Sequence, residues 1–353
     1  MSPPAAPSRP RVAVVFGGRS SEHSISCISA GSVIRALDPS KYDVVPVGIT
    51  TDGRWVLENP DHLALGADGN LPAVTGSREV ALGADSLGHI DVVFPVMHGP
   101  WGQDGTMQGL LEMAGTRYVG AGVLASAVGT DKHFMKLLFK AVGLPIQRWV
   151  MVHQRDWERD RTPTIEAVEQ LGWPVFVKPA RAGSSYGITK VDGPQALEAA
   201  IAEAQRHDPK VIIEEAAVGA RELEIGVLQS ESGEPETSSI AEITVHGDHA
   251  FYDFEAKYLE ESYQLPAQVD AGVADEMSAL AKQAFTVLDI EGLARVDFFA
   301  FPDGRLVINE VETMPGFTAT SMFPLMWQHA GLAYPDLLDR LIGLALHRST
   351  DLR

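Results

Sequence analysis

The chain has 353 residues, of which 45% are hydrophobic and 21% charged, so we expect two or three globular domains with a sizeable core. Its formal net charge of −19 argues against nucleic acid or an anionic membrane as the main partner. Cys27 is the single cysteine, which rules out an internal disulfide and fits a reducing, cytoplasmic compartment. No stretch approaches 18 consecutive apolar residues, so we expect no membrane span.

The chain begins with a proline-rich segment, MSPPAAPSRPR, that lacks the apolar run of a signal peptide, and we expect residues 1–11 to be disordered. Val12–Phe16 is typical of a buried strand and ends in Gly17-Gly18. Ser20–Leu37 then predicts a helix with a serine N-cap. Strand, glycine turn and helix in this order open a parallel α/β unit. The turn does not match G-x-G-x-x-G, so a dinucleotide site has weak support.

Polar residues follow two predicted strands of this unit. Glu22 lies in the first helical turn, where the helix dipole favours a carboxylate, although a capping role would explain it equally well. Further strands are predicted over Tyr42–Thr50 and Ile90–Val96, and the second leads into a loop containing His98 before a helix from about Thr106. Open α/β sheets bind ligands at this carboxyl edge.

The pattern changes at Ser126. A helix is predicted from there to Gly143 and Pro145, with Lys132 near its start. The elements predicted after it are a strand at Trp149–His153 and a helix at about Ile165–Leu171.

A strand at Val175–Val177 ends in Lys178 and leads to the loop Ala182–Gly187, AGSSYG. Such a loop can fold its N–H groups over a polyphosphate while the lysine supplies charge. It is not a P-loop, and a mobile surface turn remains the alternative. Further strands are predicted over Val211–Glu215, Glu222–Leu228 and Ile240–Val245, with a polar break before the last.

The segment from Gly292 to Ser321 predicts a hairpin. Asp303-Gly304 is a two-residue turn signal. With Pro302 facing Arg305, Asp297 lies opposite Glu310 and Arg295 opposite Glu312. Facing carboxylates repel, and a divalent cation such as Mg²⁺ would turn the repulsion into binding. The alternative is a solvated sheet face with an Arg295–Glu312 salt bridge.

The order of the lysine strand, the glycine-serine loop and the acidic hairpin resembles the ATP-grasp superfamily. A closer resemblance is to the D-alanine–D-alanine ligases. It rests on FGGRSSEHSIS, HGPWGQDGTMQGLLE, DKHFMK, KPARAGSSYGI, FYDFEAKY, ARVDFF and NEVETMPGFTATS, which occur in the family's order between Phe16 and Ser321.

The resemblance implies a three-domain ATP-grasp architecture of the α/β class, with an N-terminal parallel α/β domain over 12–125, a central domain over 126–215 and a C-terminal domain over 216–348. It also implies ATP-dependent joining of two D-alanines through an acyl phosphate, for peptidoglycan precursors. The implied cofactors are ATP and Mg²⁺ or Mn²⁺, as two ions. The implied setting is a cytoplasmic homodimer.

The resemblance also assigns roles to residues. The lysines expected at the ATP phosphates are Lys132, Lys178 and Lys257. The glutamates expected at adenine and ribose are Glu214, Glu215 and Glu222. Residues expected at the amino-acid substrates are Glu22, His98 and Ser321. Residues expected to tie the closing loops or hold the oxyanion are Ser184, Tyr258, Arg295 and the N–H of Gly316. The expected metal ligands are Asp297, Glu310 and Glu312.

Two residues depart from the family pattern. Glu312 stands where the family usually has asparagine, and Gln103 replaces an acid in the loop after His98. Two alternatives therefore stay open: a ligase with another second substrate, such as D-serine or D-lactate, and an inactive nucleotide-binding relative. Family members that accept D-lactate carry a histidine in the mobile loop. The loop here, Tyr252–Pro266, has none, so we expect D-alanine.

Overall fold

The structure is a computed structural model, and it describes residues 9–64, 71–80, 87–183, 187–244 and 263–350. The strands are β1 Arg11–Gly17, β2 Asp43–Ile49, β3 Trp55–Leu57, β4 Arg78–Glu79, β5 Val92–Val96, β6 Trp149–His153, β7 Val175–Pro179, β8 Thr189–Val191, β9 Lys210–Glu215, β10 Arg221–Gln229, β11 Pro235–Ile243, β12 Tyr263–Gln264, β13 Leu293–Ala300 and β14 Leu306–Glu312. The α-helices are α1 His23–Ala36, α2 Thr106–Met113, α3 Val123–Thr130, α4 Lys132–Ala141, α5 Gln154–Arg159, α6 Thr162–Leu171, α7 Leu197–Gln205, α8 Ala271–Val287, α9 Met322–His329 and α10 Tyr334–His347.

The first sheet has the order β4-β3-β2-β1-β5, and β1 pairs in parallel with both β2 and β5. The predicted parallel α/β opening is confirmed. Two boundaries were wrong. Arg11 belongs to β1, where it pairs with Asp43, and α1 begins at His23. The Ser20 hydroxyl accepts a hydrogen bond from the N–H of Glu22 instead of capping the helix, so the first helical turn begins later in the sequence.

Two antiparallel sheets follow, with the orders β6-β9-β7-β8 and β12-β11-β10-β13-β14. The predicted polar break before the strand β11 was too long, because β11 already begins at Pro235. Its polar side chains find partners in neighbouring elements. The Ser238 hydroxyl accepts the N–H of Gly226, and Thr237 bonds Ser278.

The single helix predicted from Ser126 was wrong, because the chain forms α3 and α4 with a break at Asp131. The Asp131 carboxylate accepts the N–H groups of His133 and Phe134 and so starts a new helix. Met135 and Phe139 of α4 belong to the core around β10, β13 and β14. The opening of the predicted central domain therefore packs on the C-terminal sheet, and the domain boundaries stay a prediction.

The hairpin β13–β14 has the predicted facing pairs but a different turn. Phe301 pairs with Arg305 across a three-residue loop in which Gly304 has φ 88°, so the predicted two-residue turn was wrong. A bulge at Asn309 adds one residue to β14. It restores the expected register, in which Asp297 faces Glu310 and Arg295 faces Glu312.

One buried core joins the two ends of the chain. Val14 and Phe16 of β1 lie in the same cluster as Phe323 of α9 and Leu337 and Leu341 of α10. Cys27 is fully buried in this cluster. Within the described ranges, no helix combines the length and apolar composition needed to cross a membrane.

Candidate active site

A cavity of about 370 Å³ lies between the central and C-terminal sheets. One wall comes from β7 and the segment after β9, and the other from β10, β13 and β14. The predicted site residues on its lining are Lys132, Lys178, Glu222, Arg295, Asp297, Glu310 and Glu312. The structure therefore brings together seven side chains from α4, β7, β10, β13 and β14.

Glu22 lies close to the loop after β5 and to the glycine-serine loop after β7. Its side chain is largely buried, with 8% exposure. A Cβ on Gly99 would collide with the Glu22 carboxylate, and a Cβ on Gly183 would lie 3.2 Å from its Oε2. The carboxylate thus lies between the loop after β5 and the start of the glycine-serine loop. Glycine is favoured at position 99, where φ is +73° and a side chain would occupy the space of the acid, and a side chain at position 183 would crowd the carboxylate.

His98 connects the first sheet to the loop after β14. Its Nδ1 is 3.1 Å from the carbonyl oxygen of Met314, and its Nε2 is 3.2 Å from the Ser29 hydroxyl. A carbonyl can only accept, so Nδ1 carries the proton and Nε2 accepts from serine. These two contacts fix the ring at the edge of the sheet that the sequence predicted.

Gly316 and Ser321 lie on one loop between β14 and α9. A Cβ on Gly316 would stand 3.2 Å from Ser321 Oγ, so the two predicted positions are adjacent. Ser321 Oγ accepts the N–H of Thr318 at 3.0 Å. Tyr334 donates to the carbonyl of Phe317 at 2.7 Å and anchors the loop to α10.

On the polar face of the hairpin, Arg295 and Asp297 are buried, with 4% and 9% exposure, and the two glutamates of β14 are half-buried, so the alternative of a solvated face was wrong. Arg295 donates from Nε and Nη2 to Asp297 at 2.7 and 2.6 Å, and its Nε lies 3.3 Å from Glu224. Burial opposes the charge, but Asp297 and Glu224 raise the pKa of Arg295 well above its ordinary value. Arg295 therefore stays protonated and forms ion pairs with two carboxylates, Asp297 and Glu224.

Lys132 reaches the opposite strand of the hairpin. Its Nζ is 2.9 Å from Glu310 Oε2 and donates to the carbonyl of Ala182 at 3.2 Å. Burial alone would lower the pKa of Lys132, but the Glu310 carboxylate raises it above its ordinary value. One ammonium group thus links the hairpin to the start of the glycine-serine loop.

The predicted metal carboxylates are engaged by donors of the protein. Asp297 pairs with Arg295, Glu310 with Lys132, and Glu312 accepts from the amide of Gln103. In the described part of the chain, no group of three or more His, Cys, Asp or Glu side chains is arranged to hold a metal. All three carboxylates nevertheless line one cavity, and carboxylate oxygens are what Mg²⁺ prefers. These three carboxylates would therefore fit a divalent cation that takes the place of their present protein donors.

Beside the cavity, Glu214 is buried between two lysines. Its Oε1 is 2.7 Å from Lys136 Nζ and its Oε2 is 2.6 Å from Lys178 Nζ. Burial would raise the pKa of Glu214, but the two ammonium groups lower it to about 2. Burial lowers the pKa of Lys136, although Glu214 works against this. The triad faces the predicted polyphosphate site through Lys178, which also lines the cavity.

The two glutamates expected at adenine do not line the cavity. Glu214 lies in the buried triad, and Glu215 accepts from the backbone N–H and from Nε of Arg148 at 2.9 and 2.7 Å. Ala216, Ala217 and Val218 form that part of the lining instead. Three further predicted residues, Ser184, Lys257 and Tyr258, lie outside the described residues.

Two family descriptions match this chain in sequence. Residues 11–121 match the D-ala D-ala ligase N-terminus, and residues 138–343 match the D-ala D-ala ligase C-terminus. The chain belongs to the D-alanine–D-alanine ligase family. The prediction of an ATP-dependent ligase is thereby confirmed, and family membership implies the use of ATP and a divalent metal.

Curated relatives extend this likeness over the whole chain. The D-alanine--D-alanine ligase of Streptomyces avermitilis is 52% identical over 379 aligned positions, covering 100% of this chain and 98% of that protein. The protein of the same name from Mycolicibacterium vanbaalenii is also 52% identical, covering 98% of this chain and 100% of its own.

Solved structures of the family share the fold. The D-alanine-D-alanine ligase from Coxiella burnetii matches with a TM-score of 0.80 and 31% identity, over 96% of this chain and 94% of its own. The VanG D-Ala:D-Ser ligase from Enterococcus faecalis matches with a TM-score of 0.79 and 35% identity, over 96% of this chain and 100% of its own. The predicted α/β ATP-grasp fold is confirmed.

Sequence reasoning missed two members of this ligase site. Lys136 lies one helical turn after Lys132 on α4, so an i, i+4 pattern could have placed both lysines on one face. Glu224 alternates with Glu222 on β10 and pairs with Asp297 on the next strand. The period of two in Glu-Leu-Glu was the available signal.

Proposed function

We propose that this ligase joins two D-alanine molecules and hydrolyses one ATP to ADP and phosphate in doing so. The carrying observation is the cavity in which Lys132 and Lys178 face the acidic hairpin, in a chain of the D-alanine–D-alanine ligase family. A carboxylate cannot react with triphosphate unless cations cancel the charge of both, and these lysines are suited to that.

In the first step, a carboxylate oxygen of the first D-alanine attacks the γ-phosphorus, and ADP leaves. Glu22 receives the ammonium group of this substrate, and His98 lies beside it. Lys132 and Lys178 neutralise the transferred phosphoryl group. Two divalent cations held by Asp297, Glu310 and Glu312 would neutralise further charge on the phosphates.

In the second step, the unprotonated amine nitrogen of the second D-alanine attacks the acyl carbon, and phosphate leaves with the electrons of the C–O bond and takes up the proton that the nitrogen loses. Arg295 and the N–H of Gly316 stabilise the tetrahedral oxyanion. Ser321, next to Gly316, binds the carboxylate of the second substrate. The family resemblance assigns the tying of the closing loops to Ser184 and Tyr258 and a γ-phosphate contact to Lys257, and all three lie outside the described residues.

The nucleotide lies with its triphosphate at the two lysines. Glu222 on the cavity lining binds the ribose, and adenine lies against the segment after β9 near Glu214 and Glu215. Support for this position comes from the apolar side chains of Ala216–Val218 on the same lining. We place the enzyme in the cytoplasm, which supplies ATP and suits a chain with one cysteine.

A second candidate is a ligase that accepts D-serine as the second substrate. It is favoured by the 35% identity to the VanG D-Ala:D-Ser ligase. D-Serine and D-alanine both attack through an amine, so the same residues would perform both reactions. D-Lactate would attack through a hydroxyl.

The function is tested by incubating the protein with ATP, Mg²⁺, D-alanine and an equal amount of D-lactate or D-serine. We expect ADP release that depends on D-alanine, with D-alanyl-D-alanine as the main product at every pH from about 6 to 9. The excess of dipeptide over depsipeptide should grow with pH, because only the unprotonated amine attacks. Mass spectrometry separates the products.

The matching L-amino acids serve as controls and should release no ADP above background. A depsipeptide as the main product near neutral pH would contradict the proposed second substrate. D-Alanyl-D-serine as the main product would support the second candidate. No ADP release with any D-amino acid would contradict the ligase and leave an inactive nucleotide-binding relative.

We also propose that the ligase works as a homodimer through the helices α2 and α3. Leu110, Met113 and Leu124 on these helices are 44%, 92% and 66% exposed. Contiguous exposed apolar side chains favour an interface between proteins. The two helices pack against each other, and Leu110 and Met113 lie three positions apart, on one face of α2.

Met113→Glu is expected to weaken dimerisation at least about tenfold, because a charge would be buried in an apolar interface. Analytical ultracentrifugation over a concentration series measures the dissociation constant. Leu71→Glu, an exposed leucine of another segment, is the matched control and should leave it unchanged. A monomeric unmutated protein would contradict the homodimer, and an unchanged constant in Met113→Glu would contradict this surface.

A further inference from the structure

Gln103 and Glu312, the two departures from the family pattern, are in direct contact. Gln103 is in the loop after His98, and Glu312 is the last residue of β14. The Gln103 amide donates from Nε2 to Glu312 Oε1. Two unusual residues that are 209 positions apart in the sequence thus share one hydrogen bond.

The contact can form in one orientation of the amide. Gly99 donates its backbone N–H to Gln103 Oε1 at 3.1 Å, so the amide oxygen faces Gly99 and the NH₂ group faces Glu312. The Gln103 backbone is also held, since its N–H bonds the carbonyl of Gly99 and its carbonyl accepts from the Thr130 hydroxyl. With 7% exposure, the side chain has little room to change rotamer.

An acid at position 103 would not fit next to Glu312. Two carboxylates in contact repel, and one of them must then hold a proton. In this chain the loop supplies the amide and the hairpin supplies the acid, so the contact joins a donor to a carboxylate without repulsion between like charges.

We propose that Gln103 is a positioning residue that aims the Glu312 carboxylate into the cation site of the cavity. The inference rests on the proposed function of the hairpin as a metal site. It assigns to a residue of the N-terminal unit a role in holding a ligand of the C-terminal unit. It also explains a glutamate at position 312 without a loss of ligase activity.

The first test is a double-mutant cycle of Gln103→Glu, Glu312→Asn and the pair of changes, measured as thermal unfolding in EDTA without nucleotide. Gln103→Glu should lower the Tm by at least about 3 °C in the unmutated background, because it sets two carboxylates against each other. In the Glu312→Asn background the same change should alter the Tm by less than about 1 °C. Equal shifts in the two backgrounds would overturn the proposed pairing.

Gln108→Glu is the matched control for this cycle. Gln108 is on the same segment, is 6% exposed, and bonds the backbone of Gly102 and Gly105 instead of Glu312. Its effect on the Tm should be the same with and without Glu312→Asn.

The second test separates positioning from a structural role. Gln103→Met keeps the volume of the side chain and removes the amide. With a non-hydrolysable ATP analogue bound, it should weaken Mn²⁺ binding about tenfold or more, measured by electron paramagnetic resonance of free Mn²⁺. Gln108→Met should leave Mn²⁺ binding within about twofold.

A Gln103→Met protein with unchanged Mn²⁺ affinity would overturn the positioning role, whatever its Tm. Ligase turnover of the unmutated protein is measured separately. If turnover is absent while Gln103→Met still weakens Mn²⁺ binding, the proposed function fails and the positioning role stands.

Discussion

Asp297→Asn and Glu310→Gln are each expected to lower kcat at least about a thousandfold while the protein stays folded, because removing a metal ligand costs several kcal/mol of transition-state stabilisation. The two carboxylates face each other on β13 and β14 and line the cavity. In Asp297→Asn, the amide oxygen can still accept a hydrogen bond from Arg295. Arg295 also retains its ion pair with Glu224, at 3.3 Å. The loss should therefore lie in chemistry and not in folding.

Single-turnover ADP release at saturating Mg²⁺ and D-alanine measures this effect, and circular dichroism checks the fold. Asp303→Asn is the matched control, since it makes the same change at the exposed tip of the same hairpin, where Asp303 pairs with Arg305 and both side chains are more than half exposed. It should keep kcat within about twofold. Near-normal turnover in either Asp297→Asn or Glu310→Gln would show that these carboxylates are not the metal ligands.

Glu214→Gln is expected to lower the free energy of unfolding by about 3–5 kcal/mol, because it leaves the buried ammonium groups of Lys136 and Lys178 without their shared anion. Glu215→Gln, one residue further along β9, is the matched control. Its partner Arg148 is 60% exposed, so that change should cost no more than about 1 kcal/mol. Urea denaturation at pH 7 measures both.

The contribution of Glu214 also has a predictable pH dependence. Its pKa falls from an ordinary value of 4.5 to about 2 in the folded protein, so the stabilisation is fully present above about pH 4.5 and is lost as the pH falls towards 2. The difference in stability between the unmutated protein and Glu214→Gln should therefore shrink over that range. Equal costs for Glu214→Gln and Glu215→Gln at pH 7 would contradict the buried triad.

The hairpin shows how far local sequence patterns reach. A strand period of two and a turn signal were enough to pair Asp297 with Glu310, although the turn itself was wrong. The longer turn moves the register by one residue, and the bulge at Asn309 moves it back. A bulge depends on what packs on both faces of the strand, so the pattern of one strand could not reveal it.

The burial of the site's side chains and their hydrogen-bond and ion-pair partners could not be predicted from the sequence either. Glu214 and Glu215 are neighbours with the same side chain, yet one lies in a buried triad and the other pairs at the surface, because successive residues of a strand point to opposite faces. The contact between Gln103 and Glu312 joins loops from two sheets, and only their packing brings the two residues together. Family motifs named most of the site residues but not their partners.

The core shared by β1, α9 and α10 sets an order on how the protein can form. A ribosome releases β1 long before α10, so Val14 and Phe16 lack their contacts with Leu337 and Leu341 until α10 has been made. The central sheet has its own core, built from residues 152–213, and can close while translation continues. Synthesis of α10, and not of the first domain, is therefore the event that covers this face of the N-terminal sheet, and a stop codon ahead of α10 would leave that face exposed to proteases.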